Sequence, residues 1–83
     1  MPFGSSVSGF ERRLASLPIG AEAVVVRVLR DEDGRADRLA ALGVTPGAAV
    51  RMLQRFPGFV FQCDQTELAV EPAVARTILV RPR

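Results

Sequence analysis

Few side chains in this sequence could do chemistry, and their spacing settles most of them. No histidine occurs among the 83 residues, so the commonest general base and metal ligand is missing. The single cysteine, Cys63, has no histidine to activate it and lies in a strand-like stretch beside Phe61. A thiol in that setting reads as a buried, inert side chain. The run Asp31-Glu32-Asp33-Gly34-Arg35 invites a calcium reading. An EF-hand loop begun at Asp31 would need glycine at its sixth position and glutamate at its twelfth, where Ala36 and Leu42 stand. The acids read instead as a solvated loop before a helix. Glu67 and Glu71 lie too far apart along one strand to share a proton, and read as a solvated face. Gly43, Gly47 and Gly58 fit no phosphate-cradling loop, because the string G-x-x-x-x-G-K-[ST] is absent and the chain has no lysine. No catalytic residue, metal-ligand set or cofactor site is expected, so function must lie in binding.

Composition bounds the rest. The chain is 48% hydrophobic and 24% charged, ordinary for a globular domain. A domain of this size buries only about 60% of its unfolded surface, so its core is thin. The longest aliphatic run, Ala23 to Val26, is far shorter than the ~20 residues of a membrane helix. No secretory signal pattern opens the sequence, and one cysteine suits a reducing compartment; a soluble cytoplasmic protein without direct membrane insertion is expected. The net charge of +2 is the balance of eleven arginines against nine interleaved acids. Nucleic-acid binders usually gather their bases on one stripe, so no specific nucleic acid is expected.

Local patterns give the elements. Residues 1–10 are rich in glycine and serine and read as a flexible tail, leaving 11–83 as the domain. Glu11 to Leu17 can make a short helical turn that Pro18 stops. Three successive valines put a strand over Glu22 to Arg30, with Val24, Val26 and Val28 taken as inward. Arg35 to Leu42 is rich in good helix formers, with Ala36, Leu39 and Leu42 on one face. Gly43 suits a left-handed helix cap, Val44 plugs toward the core, and Pro46-Gly47 matches the centre of a type II turn. Pro57-Gly58 reads as a second turn of that kind. Further strands follow at Ala48 to Arg55, Phe59 to Cys63, Glu67 to Glu71 and Thr77 to Arg81. Five short strands with tight turns and one short helix inserted after the first strand predict a small all-β barrel.

This punctuation resembles the ferrous iron transport protein A (FeoA) family, whose order is L-x-x-L-x-x-G, a β-branched strand, R-L-x-x-L-G-[IV]-x-P-G-x-x-[IV], an L-A-[LV] strand and A-x-x-I-x-V. The matching residues are Leu14, Leu17 and Gly20; Arg38, Leu39, Leu42, Gly43, Val44, Pro46, Gly47 and Val50; Leu68, Ala69 and Val70; and Ala75, Ile78 and Val80. The resemblance implies an SH3-like barrel. It also implies a non-enzymatic accessory of bacterial ferrous iron uptake, in contact with the membrane transporter that bears a GTP-binding domain, ferrous iron transport protein B. Two departures stand out. Asp64-Gln65-Thr66 fills a turn that often holds glycine, where Asp tolerates a left-handed conformation. Glu71 stands where the family is often basic. Despite the family name, ferrous iron prefers imidazole and carboxylate sets, so no specific iron site is expected.

The contact surface should show as apolar residues out of register with the core. Val25, Leu29, Leu53 and Leu79 should face outward, and Phe59 and Phe61 follow a turn on one face of their strand. Leu53, Phe59, Phe61 and Leu79 are therefore the expected partner-binding residues, with Gly43, Pro46, Gly47, Pro57 and Gly58 as turn and cap scaffold. Self-association is a further expectation. Proline-rich ligands are not, for want of Trp and Tyr. Two alternatives stay open: an SH3-like domain related to metal-dependent repressors, or a nucleic-acid-binding barrel. The first would ordinarily carry a helix-turn-helix upstream. The second rests on the arginines.

Overall fold

The structure, a computed structural model, describes residues 11–30 and 32–83. The expected tail at 1–10 and the reading of Asp31 lie outside these residues. The elements are β1 (Arg12–Arg13), a 3-10 turn (Leu14–Ser16), β2 (Glu22–Val28), α1 (Arg35–Ala41), β3 (Ala49–Gln54), β4 (Phe59–Cys63), β5 (Thr66–Val70), α2 (Pro72–Ala75) and β6 (Ile78–Pro82). All five expected strands form, and Arg12–Arg13 adds a sixth by pairing with Val80 and Leu79. The strands make one antiparallel sheet in the order β1-β6-β2-β3-β4-β5.

One apolar core fills the curl of this sheet. Phe61, Leu14, Met52, Ile78, Val25, Val44 and Val80 are its largest fully buried side chains. The expected helical turn near Glu11 to Leu17 is the 3-10 turn, which buries Leu14, with Leu17 buried just beyond it. The stretch Pro72-Ala73-Val74-Ala75, expected as a separator, is one turn of helix with proline at its start, where no N–H is needed. Helix α1 buries Ala36 and Leu39. Leu42 departs from that face: it is the C-cap, at φ −91° and ψ 2°, and stands 54% exposed.

The turn at 42–48 follows the expected design closely. Gly43 takes φ +98°, its N–H bonds the Ala40 carbonyl at 3.0 Å, and the Val44 N–H bonds the Leu39 carbonyl at 2.9 Å. That bond pair is a Schellman cap, and Val44 enters the core behind it. Gly47 takes φ +94° while the Ala48 N–H bonds the Thr45 carbonyl at 3.0 Å, as a type II turn requires. The Gly47 N–H also donates to the Val25 carbonyl at 2.8 Å, which ties the turn to β2. Asp64 accepts the left-handed role at φ +55°, and the β4–β5 hairpin forms with Cys63 opposite Thr66.

Two expectations are corrected. In β2 the inward residues are Ala23 and Val25, while Val24 and Val26 are half-buried on the other face. A register shift between Val25 and Arg27 resets the alternation, so Val28, as expected, still packs against the core. The second correction concerns Pro57-Gly58. Gly58 does not adopt a positive φ, so this turn is not a second type II turn.

Candidate contact surface

The four expected contact residues divide into two pairs. Phe59 is 8% exposed and Phe61 is 0% exposed. Both belong to the core, which corrects the expectation that they face a partner. In β4 the buried positions are Phe59, Phe61 and Cys63, alternating with half-buried Val60 and Gln62. The reading of Cys63 as buried was sound, and it shares the parity of both phenylalanines. That shared parity was the signal that placed them inside. Leu53 and Leu79 are half-buried on the outer surface. Leu79 lies between Arg13 and Arg27 in the register of its two neighbouring strands, so long arginine stems flank it on both sides.

The residue that does project is Phe56, which the sequence reading passed over. It is 85% exposed at the tip of the β3–β4 loop. Its position before Pro57, outside the strand alternation, was the available clue. Two interactions brace the loop behind it. The Arg55 guanidinium donates to the Ala15 carbonyl at 2.9 Å and sits 5.8 Å from the Phe59 ring centroid. The Gln54 side-chain amide donates to the Gly58 carbonyl at 3.3 Å. Phe56 is thus held out by a fastened loop.

Ile19 joins it. The Gly20 N–H bonds the Met52 carbonyl at 2.7 Å and the Met52 N–H bonds the Ala21 carbonyl at 3.0 Å. This pairing lays the Pro18–Ala21 turn along the later half of β3, beside Leu53 and on the approach to Phe56. Ile19, at the tip of that turn, is 65% exposed. The turn before β2 and the loop after β3 thus present Ile19 and Phe56 to solvent, with half-buried Leu53 following Met52, where the two segments bond. Exposed large apolar groups gathered near one another mark contact sites more reliably than scattered ones do.

Charge is spread out. Arg27 pairs with Glu11 at 3.9 Å, Arg30 with Asp37 at 3.2 Å, Arg35 with Asp33 at 3.4 Å and Arg51 with Glu22 at 3.5 Å. These pairs are largely solvent-exposed, each worth about 0–1 kcal/mol, and they offset the charge of four of the eleven arginines. The Cys63 thiol donates to the Gly43 carbonyl at 3.4 Å. Burial raises its pKa above the ordinary 9.0, and the neighbouring Asp64 charge raises it further. Both effects keep it a thiol, the form that is neither nucleophile nor metal ligand. Glu67 and Glu71 are both exposed. Among the described residues no three His, Cys, Asp or Glu side chains gather into a possible metal site. Among the same residues no helix is long and apolar enough to cross a membrane.

A curled antiparallel sheet round one small core, with a capped helix set between its first long strands, is the architecture of an SH3-like small barrel. Comparison with known proteins gives the particular family. The FeoA domain model matches residues 12–82, and the chain belongs to that family, which links it to ferrous iron transport. No curated protein sequence matches it. Among solved structures it is similar to FeoA of Stenotrophomonas maltophilia in complex with zinc, described as a prokaryotic SH3 domain protein possibly acting as a ferrous iron transport activating factor. There the identity is 32% and the TM-score 0.73, over 81% of this chain and 86% of that one. A crystal structure of an iron uptake regulatory protein (FeoA) matches at 24% identity and TM-score 0.77, covering 88% and 99%. A crystal structure of T. acidophilum IdeR matches at 20% identity and TM-score 0.80, over 88% of this chain but 34% of that one. This last likeness is one of fold.

Proposed function

We propose that this protein is a cytoplasmic accessory of ferrous iron uptake that acts by touching the transporter bearing a GTP-binding domain, ferrous iron transport protein B, and turns over no substrate itself. The FeoA match over residues 12–82 carries this reading. The surface that fits it is the one with Ile19, Leu53 and Phe56, because a large aromatic held out on a braced loop is the kind of group that anchors an interface. Leu79 is a secondary contact at most, flanked as it is by Arg13 and Arg27.

The test is capture of the transporter's purified soluble GTP-binding domain by the purified chain. Wild-type protein should capture it. Phe56→Ala should weaken capture about tenfold or more, with an unchanged circular dichroism spectrum. Absence of capture by wild-type protein, or equal capture by Phe56→Ala and Ile19→Ala, would overturn the proposal.

A further inference from the structure

A second surface, built from different residues, lies where the sheet ends. β5 is an edge strand, hydrogen-bonded to β4 and to no other strand. In the β4–β5 hairpin, Cys63 and Thr66 close the two-residue loop, so Cys63–Thr66, Phe61–Leu68 and Phe59–Val70 are the bonded pairs. Glu67 and Ala69 fall between them. Their N–H and C=O groups point away from β4, and among the described residues no other backbone takes them up. These are two open rungs of a ladder.

Beside the Ala69 rung lies a groove. Leu42, Ala69, Val70 and Val74 line it, with Arg38 on the α1 side and Glu71 at the end of β5. Leu42 is the helix residue that left the buried face, and its exposed side chain is here part of an apolar floor. The Arg38 guanidinium donates to the Asp33 carbonyl at 3.3 Å, a neutral acceptor that leaves its positive charge in place. An open strand edge, a helix walling the far side and an apolar floor between them are the parts used when an extended peptide adds a strand to a sheet.

We propose that this groove binds an extended segment of another protein, added as a strand on β5, with apolar side chains at alternate positions over Leu42, Val70 and Val74 and an acidic side chain toward Arg38. The occupant is a lone segment. A second copy of the chain would set its own Glu67 and Glu71 against the same two acids, and its sheet would meet α1. Glu71 also restricts the ligand, because an acid at that end would be repelled. The site is independent of the Phe56 surface and stands whether or not the transporter is the partner.

The experiment is selection of a displayed library of random dodecapeptides on the purified full chain. Enrichment of sequences with apolar residues at alternate positions and one acid in that same alternate register is expected. On binding, the Glu67 and Ala69 amides should become protected from hydrogen exchange. Ala69→Pro removes one rung at a position where an edge strand tolerates proline, and should weaken a selected peptide about tenfold. Leu42→Glu, on an exposed position, should do the same by charging the floor, and Arg38→Glu should turn selection away from acids. Failure to enrich any peptide, equal binding to the Leu42→Glu variant, or protection of the same amides by concentration-dependent dimerisation alone would overturn the proposal.

Discussion

Pro46-Gly47 and Pro57-Gly58 are the same dipeptide at two turns, and the protein uses them in different ways. At the first, Gly47 is left-handed, the turn bond is made, and the Gly47 N–H is fastened to Val25 of β2. At the second, Gly58 keeps an ordinary φ, and the residue before the proline, Phe56, stands in solvent. The first turn builds the scaffold and the second displays a side chain. The phenylalanines around the second turn repeat the contrast at closer range. Phe56 and Phe61 are five residues apart in sequence, one almost wholly exposed and the other wholly buried. A dipeptide or a residue type therefore sets what a position can do, and its neighbours in space set what it does.

The contrast can be broken in several ways. Phe61→Ala should cost about 3–5 kcal/mol, much of the stability of so small a domain, and be seen as a large drop in the urea midpoint followed by circular dichroism. Gly47→Ala should cost about 1–2 kcal/mol, because a Cβ at φ +94° is strained even though nothing lies within 4 Å of where it would sit. Gly58→Ala should be near neutral. Its Cβ would meet only the Val70 carbonyl, at an ordinary 3.5 Å, and no positive φ is involved. Equal losses at the two glycines would erase the distinction between the turns.

A smaller effect concerns the thiol behind the first turn. The folded-state pKa of Cys63 is raised above 9.0, so the native state holds the proton more tightly than the unfolded chain. Its contribution is complete below pH 9.0 and is lost as pH rises through the folded value. Denaturant midpoints should fall above that pH, and Cys63→Ala should lessen the fall. The smallest expected change is in the stability of Phe56→Ala, within about 0.5 kcal/mol of wild type. A large loss there would mean that Phe56 supports the fold, and would remove it as a contact residue.

Much of the architecture was legible in the residues. Gly43, Pro46-Gly47 and Asp64 each sit where one backbone conformation is strongly favoured, and each adopts it. In β3, Arg51 separates Val50 from Met52, so a polar neighbour marks the outer face and both apolar residues lie inside. β2 gives no such mark. Val24, Val25 and Val26 are identical at successive positions, and the alternation was assigned one residue out. The register shift between Val25 and Arg27 arises from pairing with β6, which lies some fifty residues further along the chain. β4 was easier to read than β2: Phe59, Val60 and Phe61 are all apolar, but polar Gln62 marks the outer face, and both phenylalanines share the opposite parity with Cys63.

Local sequence was enough for the turn and cap positions, the five longer strands, helix α1 and the family. These follow from steric preferences of glycine, proline and β-branched side chains that act within a few residues. Tertiary structure alone decided which valines face inward, and that Leu42 leaves the helix's buried face to line a groove beside the β5 edge. The reason is physical. Burial depends on what packs across from a residue, and with every neighbour along the strand equally apolar, only the strand on the other side can break the tie.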